Sequence, residues 1–255
     1  MDLVDYELDF YKSITARVGP SSDEMSARAL NFIPRQGENS HILEIGCGAG
    51  FQTLFLARNT AAKIVAIDIV YQFVQRLQNK LHELHLSDRA EARVLSMDQI
   101  SYPDGFFDVI WAENSIYHIG FERGVSEWRR YLRPGGYLAA TEIAWLTDRR
   151  PREAEEYLLA RFASPDTLEG RLSALKKYGY KTIAHFVMPE ECWTEHYYKP
   201  AQAHVEDFLK KHGHNAMVQR YVQILITDMA MHDKYKEYYG VVFFVAQKDG
   251  QENIG

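Results

Sequence analysis

Four residues in the segment 42–50 have the types and spacing needed to hold a charged small molecule. Glu44 provides a carboxylate, and Gly46, Gly48 and Gly50 follow it at every second position. Glycine accepts backbone angles that side chains forbid, and it lets a ligand lie directly against the peptide. The residues around Glu44 are apolar without alternation, which predicts a strand buried on both faces. The apolar residues after the turn predict a helix, whose first N–H groups favour a carboxylate or a phosphate.

The spacing of these glycines separates two kinds of nucleotide site. The dinucleotide fingerprint is G-x-G-x-x-G/A, in which the third small residue packs the helix on the strand. Counted from Gly46, that third position is Phe51, and the glycine stands one place earlier, at Gly50. A dehydrogenase is therefore disfavoured. A glycine turn that only reverses the chain is the alternative.

Acidic residues recur where the predicted strands end. They are Glu44, Asp68, Asp98, Glu113 and Glu142. Ligands of doubly wound sheets lie at the carboxyl ends of the strands, so we expect these side chains around one crevice. A carboxylate such as Asp68 can accept hydrogen bonds from two hydroxyl groups. A helix cap or a turn is the alternative role for Asp68 and Asp98.

Alternating strands and helices position these residues. The apolar runs predict strands at 42–45, 63–68, 92–95, 107–111, 137–143, 181–187 and 241–246. The stretches between them are helical in pattern, including 121–132, 151–162 and 167–178, and residues 5–17 predict an N-terminal helix. This alternation implies a Rossmann-like, doubly wound α/β sheet that is mostly parallel. We interpret the last strand as an antiparallel partner inside the sheet.

Composition restricts the class of partner. The chain has 255 residues and a formal net charge of −6, which does not indicate a nucleic-acid footprint. Two cysteines are too few for a disulfide framework or a cysteine-built zinc site, and the histidines show no convincing metal spacing, so no metal is predicted. The chain shows no signal-type apolar run at its start and no apolar segment of membrane-spanning length, which predicts a cytoplasmic protein.

Several of these segments resemble, in order, the motifs of the class I methyltransferases that use S-adenosylmethionine. The E-x-G-x-G-x-G pattern resembles their glycine motif, and Asp68 resembles the acid that ends their second strand. Ser96-Met97-Asp98 resembles their adenine segment, and residues 132–138 resemble the turn before their fifth strand. The resemblance covers roughly residues 25–145. More narrowly, the Gly-Pro-Ser near Gly19 and residues 116–129 resemble a bacterial group near the ubiquinone/menaquinone-methyltransferase-like set.

The resemblance implies S-adenosylmethionine as cofactor and S-adenosylhomocysteine as product. It implies that Asp68 holds the ribose hydroxyls, and that Asp98 accepts from the adenine amino group between Ile69 and Met97. The N–H groups of the glycine turn suit the carboxylate end of the cofactor, and Glu44 suits its ammonium group through water. The implied cofactor-contacting residues are Glu44, Gly46, Cys47, Gly48, Gly50, Gln52, Asp68, Ile69, Met97, Asp98 and Glu113.

Two residues after the fourth predicted strand are candidates for catalysis. Methyl transfer from a sulfonium is an in-line displacement, and positioning can supply most of the acceleration. A base is needed only where the acceptor must lose a proton. His118 is the candidate base and Tyr117 the candidate for orienting the acceptor, because only histidine titrates near neutral pH. A structural hydrogen bond is the alternative role for His118.

Further residues are candidates for the acceptor side. Tyr11 and Arg17 fit an N-terminal lid, with a helix surface as the alternative. Glu142 and Trp145 end the fifth strand and fit a pocket wall, with sheet-end packing as the alternative. The aromatic run 192–198 fits either a pocket wall or a subunit interface, so a homodimer stays open.

We predict one methyltransferase domain over residues 1–255, with a helical cover at 1–38, a cofactor-binding half at 39–147 and an acceptor-side half at 148–255. The helical insertion at about 200–239 is expected to lie with the cover over the strand ends and to exclude water. The predicted acceptor is a small molecule, and the acidic balance disfavours a macromolecule. A non-catalytic cofactor-binding module is the alternative, because this half of the fold indicates binding better than turnover.

Overall fold

A single mixed sheet organises the chain. The computed structural model describes residues 5–6, 9–11, 17–162, 164–213 and 215–250. The strands of the sheet are β1 (His41–Ile45), β2 (Lys63–Asp68), β3 (Ala90–Val94), β4 (Phe107–Ala112), β5 (Leu132–Trp145), β6 (Asp166–Thr167), β7 (Tyr180–Val187) and β8 (Tyr239–Lys248). Their order is β3-β2-β1-β4-β5-β8-β7, and β6 pairs with β5.

Helices connect the strands. They are α1 (Asp23–Leu30), α2 (Phe51–Asn59), α3 (Tyr71–Glu83), α4 (Phe121–Trp128), α5 (Arg152–Arg161), α6 (Leu168–Lys177), α7 (Glu190–Trp193), α8 (Lys199–His212) and α9 (Ala216–Tyr235). A π-helical turn, Thr194–Tyr198, joins α7 to α8, and a 3₁₀ turn, Ile116–His118, follows β4. Residues 5–6 and 9–11 are helical, and the rest of the predicted helix up to residue 16 lies outside the described residues.

The direction of the strands confirms the predicted architecture. β3, β2, β1, β4 and β5 pair in parallel, and β8 runs antiparallel between β5 and β7. The strand β8 is buried from Tyr239 to Ala246 because it has a neighbour on each side and helices on both faces. The result is a Rossmann-like sheet whose parallel strands end along one edge.

The predicted turn at residues 133–136 is instead a bulge within β5. Phe107 pairs with Leu132 and Val109 with Tyr137, so four residues of β5 stand opposite Asp108 alone. The carboxylate of Asp108 accepts from the guanidinium of Arg133 and from the backbone N–H of His41. These bonds hold the bulge against β4, and the strand continues through a segment whose Pro and Gly residues predicted a break.

The helical additions lie together at the strand ends. Phe10, Phe208 and Tyr221 form a buried apolar cluster that joins the N-terminal helical residues to α8 and α9, and Phe73 of α3 belongs to it. The cluster confirms the predicted helical additions, because it places both against the edge where the parallel strands end. Within the described ranges, no helix is both long and apolar enough to cross a membrane.

Candidate functional site

The glycine turn between β1 and α2 leaves room for a ligand at one position. Gly46, Gly48 and Gly50 all have positive φ angles, of 74°, 49° and 89°. A Cβ atom on Gly46 would lie 2.4 Å from the Cβ of Ser115, and one on Gly50 would lie 2.4 Å from a methyl group of Leu77. A Cβ on Gly48 would meet nothing within 4 Å. Gly46 and Gly50 therefore permit close packing, whereas Gly48 faces open space.

Asp68 at the end of β2 supports this turn. Its Oδ2 accepts from the backbone N–H of Gly48 at 2.9 Å, and its Oδ1 accepts from the backbone N–H of Val70 at 2.8 Å. The turn-acid role is thus present in the structure. Each carboxylate oxygen accepts about two hydrogen bonds, so both retain capacity for a hydroxyl group. The two roles weighed for Asp68 are compatible.

A cavity of about 410 Å³ opens above the glycine turn. Its wall contains nine of the residues predicted to contact a cofactor, namely Gly46, Cys47, Gly48, Gln52, Asp68, Ile69, Met97, Asp98 and Glu113. We call it the first cavity. Glu44 and Gly50 lie behind the turn instead. The carboxyl ends of β1, β2, β3 and β4 therefore meet at one crevice, as the sequence predicted.

The segment after β3 presents a fixed edge to this cavity. The backbone carbonyl of Met97 accepts from the indole Nε1–H of Trp128 at 2.9 Å. The exposed carboxylate of Asp98 accepts from the hydroxyl of Ser96 at 2.5 Å, and this bond lowers the pKa of Asp98. Asp98 is therefore an ionised hydrogen-bond acceptor at neutral pH.

Glu113 after β4 joins three elements. Its Oε1 accepts from the hydroxyl of Ser26 at 2.7 Å and from the indole of Trp111 at 2.8 Å, and its Oε2 accepts from the amide of Gln52 at 3.3 Å. Burial raises the pKa of Glu113, and the positive charge of Arg17 acts in the opposite direction. The carboxylate ties α1 and α2 to β4 while it lines the first cavity.

Glu44 is enclosed in protein. Only 2% of it is exposed, and its Oε2 has no hydrogen-bond partner within the described part of the chain. Burial raises the pKa of Glu44 to about 8, with Thr53 opposing the shift and the carboxylates of Glu113 and Asp68 adding to it. An unpartnered buried acceptor is costly, which makes Glu44 a candidate for pairing with a donor from a ligand or a water molecule.

A second cavity of about 330 Å³ adjoins the first. The two share the residues Tyr11, Val18, Asn114, Tyr117 and His118, which we call the neck. Asn114 holds the neck in shape, because its backbone N–H donates to the hydroxyl of Thr141 at 2.7 Å and its φ angle is positive, at 52°. A molecule in one cavity therefore faces a molecule in the other through this neck.

The two candidate catalytic residues lie at the neck. The rings of Tyr117 and His118 are 4.1 Å apart between centroids and tilted by 34°. His118 keeps an exposed surface, but partial burial of its ring lowers its pKa, while the negative charge of Asp68 acts in the opposite direction. His118 is thus a neutral imidazole near pH 7, as a proton acceptor must be.

The four residues predicted for the acceptor side divide into two pairs. Tyr11 and Glu142 line the second cavity, and burial raises the pKa of Glu142 to about 7. Arg17 is instead packed inside the N-terminal segment, where it donates to the hydroxyl of Ser21 and pairs with Asp23. Trp145 is 2% exposed and packs on Tyr239, in keeping with the alternative of sheet-end packing.

Several residues of the second cavity were not singled out from the sequence. Tyr157, Arg161, Asp228 and Tyr239 come from α5, α9 and the start of β8. Asp228 accepts from the hydroxyl of Tyr157 at 2.9 Å and from the guanidinium of Arg161 at 2.6 Å. No local motif predicts that Asp228, Tyr157 and Arg161 meet, because Asp228 is about seventy residues away from the other two in the chain. The aromatic run 192–198 was the one available signal, and Trp193, Tyr197 and Tyr198 of that run line the cavity.

Part of the chain is similar to a known protein family. Residues 43–140 match the model of the family described as "Methyltransferase domain". The matched segment is less than half of the chain, and it resembles that family. The match spans β1 to the middle of β5 and includes most of the wall of the first cavity.

Curated relatives resemble this chain over part of their length. The chain is 27% identical over 132 residues to 27-O-demethylrifamycin SV methyltransferase of Amycolatopsis mediterranei, covering 51% of this chain and 48% of that protein. It is 24% identical over 139 residues to sarcosine/dimethylglycine N-methyltransferase of Halorhodospira halochloris, covering 54% and 50%. The chain thus spans about half the length of these relatives.

Solved structures resemble the fold of this protein over nearly the whole chain. A SAM-dependent methyltransferase from Geobacter sulfurreducens, solved with S-adenosyl-L-homocysteine, superposes with a TM-score of 0.79 and covers 95% of this chain and 97% of that one. The sequence identity is 17%, so the likeness concerns the fold. The narrower resemblance to the ubiquinone/menaquinone-methyltransferase-like set stays a prediction.

Proposed function

We propose that this protein transfers a methyl group from S-adenosylmethionine in the first cavity to a small-molecule acceptor in the second. The observation that carries the proposal is the neck, because two cavities of similar size share one wall that ends in His118. A displacement at a methyl carbon needs the donor and the acceptor on opposite sides of that carbon. Two adjoining cavities at the strand ends supply that arrangement.

The residues of the first cavity suit the proposed cofactor. The open position at Gly48 leaves space for a ligand against the backbone. Asp68 retains acceptor capacity for ribose hydroxyls, and Asp98 is an ionised acceptor for an adenine amino group. We assign the carboxylate end to the glycine turn that leads into α2, and the ammonium end to Glu44 through a water molecule, because Glu44 lies behind the turn.

When bound, the cofactor supplies a methyl group on a positively charged sulfur. The chain supplies position and a dry environment. Tyr11 is part of the neck, and its hydroxyl is 3.0 Å from that of Tyr197. The N-terminal segment and the π-helical turn therefore meet at the neck. We assign to His118 the removal of a proton from an acceptor that must lose one, and to Tyr117 the orientation of that acceptor.

The size of the second cavity supports a small acceptor. At about 330 Å³ it falls at the lower end of the range of small-molecule pockets. The relatives named above are a rifamycin O-methyltransferase and a sarcosine/dimethylglycine N-methyltransferase, both of which act on small molecules by name. Hydroxyl and amine acceptors are therefore both represented among similar proteins.

The experiment combines binding with turnover. Calorimetry with S-adenosylhomocysteine and with NAD tests the first cavity, and we expect binding of the first ligand alone. Incubation with methyl-labelled S-adenosylmethionine and separate metabolite, protein and RNA fractions tests the acceptor. Label in the metabolite fraction is expected. Label in protein or RNA would overturn the small-molecule proposal, and binding without transfer to any fraction would favour a non-catalytic module.

A further inference from the structure

The wall of the second cavity is built from aromatic rings. Eight of its nineteen described residues are Tyr, Phe or Trp, whereas aromatic residues make up 13% of the chain. The rings adjoin one another: centroids are 5.9 Å apart between Trp193 and Tyr198, and 4.9 Å apart between Tyr197 and Tyr198. On another wall, Tyr157 and Tyr239 are 6.5 Å apart. A ligand in this cavity is therefore surrounded by ring surfaces.

The π-helical turn places two consecutive rings on this wall. In an α-helix neighbouring residues point about 100° apart, whereas a π turn inserts an extra residue and is frequent at functional sites. Here it lies at Thr194–Tyr198, and Tyr197 and Tyr198 both line the cavity. The local departure from α-helix geometry thus enlarges the aromatic wall.

Four of the tyrosine hydroxyl groups on this wall have hydrogen-bond partners within the protein. Tyr198 donates to the backbone carbonyl of Asp228 at 3.3 Å, and Tyr157 donates to the carboxylate of the same residue at 2.9 Å. The hydroxyls of Tyr11 and Tyr197 lie 3.0 Å apart. What these tyrosines offer to a ligand is the face of the ring, and ring faces carry the negative end of a quadrupole.

The charges around the two cavities favour a cation. Five acids line them, namely Asp68, Asp98, Glu113, Glu142 and Asp228. Among the lining residues that the structure describes, Arg161 is the single lysine or arginine, and Asp228 neutralises it at 2.6 Å. Clefts lined by charges of one sign concentrate ligands of the opposite sign. In the second cavity Asp228 and Arg161 pair with each other, so the remaining charge is that of Glu142, which is negative when deprotonated and favours a cationic over an anionic acceptor.

We propose that the second cavity is an aromatic cage for a small cationic amine, and that the methylated atom is an amine nitrogen. The inference rests on the proposed function, since it names the acceptor class of the same site. Rings around an alkylammonium group are the recurring means of binding such cations. The cage would bind the ammonium form of the acceptor and of the methylated product.

The transfer balances without an additional reagent. The nitrogen lone pair forms the new bond to the methyl carbon, and the electron pair of the broken carbon–sulfur bond stays on sulfur. The positive charge moves from sulfur to nitrogen. An amine that arrives protonated first gives its proton to His118 at the neck, which passes it to solvent. A tertiary amine yields a quaternary product that has no proton to lose.

Binding of matched probes tests the cage. Choline and 3,3-dimethylbutan-1-ol have the same shape, but only choline is charged, and phenol represents a flat neutral ring. With the protein saturated by S-adenosylhomocysteine, we expect choline to bind about tenfold more tightly than its carbon isostere. Equal affinities, or tighter binding of phenol, would overturn the inference. A separate titration of S-adenosylhomocysteine into the protein keeps the two proposals distinct. Failure to bind S-adenosylhomocysteine would refute the proposed function, whereas failure to prefer choline would refute only the cage.

Paired variants separate a cage from ordinary packing. Tyr157→Leu removes a ring and Tyr157→Phe retains it, and Trp193→Leu with Trp193→Phe gives a second pair should the first leucine variant fail to fold. We expect each leucine variant to lower the ratio of choline affinity to isostere affinity by roughly fivefold, and each phenylalanine variant to preserve most of it. If both probes weaken equally, the ring has a packing role and the cage is refuted.

Discussion

The two cavities are built by different means. The first is lined by four short segments, at 46–52, 67–70, 95–98 and 113–119, each of which follows a parallel strand. The second takes single side chains from α5, the π-helical turn, α9 and β8. Loops at the strand ends build most of the first, and single side chains, eight of them aromatic, build most of the second.

This difference explains what the comparison with known proteins conveys. The methyltransferase match at residues 43–140 contains nearly all of the first cavity and ends before Tyr157, Arg161 and Trp193. A fold can therefore keep one cofactor cradle while its acceptor wall is assembled from later parts of the chain. The acceptors named for relatives need not apply here. The acceptor of this protein has to be inferred from the side chains of its own second cavity.

The largest effect is expected where the first cavity depends on bare backbone. Gly48→Val places a branched side chain in the open space above the turn, at a residue with φ of 49°. Valine both fills that space and disfavours this backbone angle, so we expect calorimetry to detect no binding of S-adenosylhomocysteine. Gly105→Val is the matched control, because Gly105 has φ of 72° outside both cavities. Normal binding of S-adenosylhomocysteine by the Gly48 variant would show that the glycine turn is not part of the cofactor site.

The next effect concerns the neck between the cavities. His118→Ala should lower turnover about 10²-fold while the affinity for S-adenosylhomocysteine stays near that of the wild type. His82→Ala on the surface of α3 is the control. Because the pKa of His118 is lowered, the acid limb of the wild-type rate profile should fall below the usual histidine range and vanish in the variant. Unchanged turnover would return His118 to a structural role.

A smaller loss is expected at the acid that supports the turn. Asp68→Ala removes both oxygen acceptors of the side chain and should weaken binding of S-adenosylhomocysteine by about 1.5–3 kcal/mol. Asp68→Asn keeps one oxygen for the N–H of Gly48 and should lose less. Calorimetry on both variants, with exposed Asp88→Ala as control, gives the comparison. Full affinity in Asp68→Ala would show that the carboxylate serves the turn alone.

The last comparison concerns Glu44 behind the turn, where the expected effect is on stability and no direct effect on either cavity is expected. Between its ordinary pKa of 4.5 and its raised value of about 8, Glu44 binds more protons in the folded chain than in the unfolded chain. The free energy of unfolding must therefore fall as pH rises through this window, by up to about 1.4 kcal/mol per pH unit. Glu44→Gln should flatten that slope, and exposed Glu83→Gln should not. Chemical denaturation at several pH values measures it, and identical slopes would contradict the raised pKa.

The sequence by itself determined the parallel sheet and most of the first cavity. Apolar runs mark buried strands, and a ligand crevice follows from where parallel strands end, so Gly48, Asp68 and Asp98 could be placed before any coordinates. Those signals are local, since each lies within a few residues of the strand that positions it. The bulge in β5 was missed because Pro and Gly at 133–136 are typical of turns as well as of bulges.

Only the tertiary structure decided the second cavity. Asp228, Tyr157 and Arg161 carry no common motif, and they meet because α9 packs near α5. The same holds for Arg17 and Trp145, whose types suited the acceptor wall but whose side chains pack elsewhere. A side chain's burial and charge partners depend on elements far away in the chain, whereas backbone angles at a glycine depend on its immediate neighbours. The cradle for the cofactor is therefore visible in the sequence, and the shape of the acceptor site is visible only in the fold.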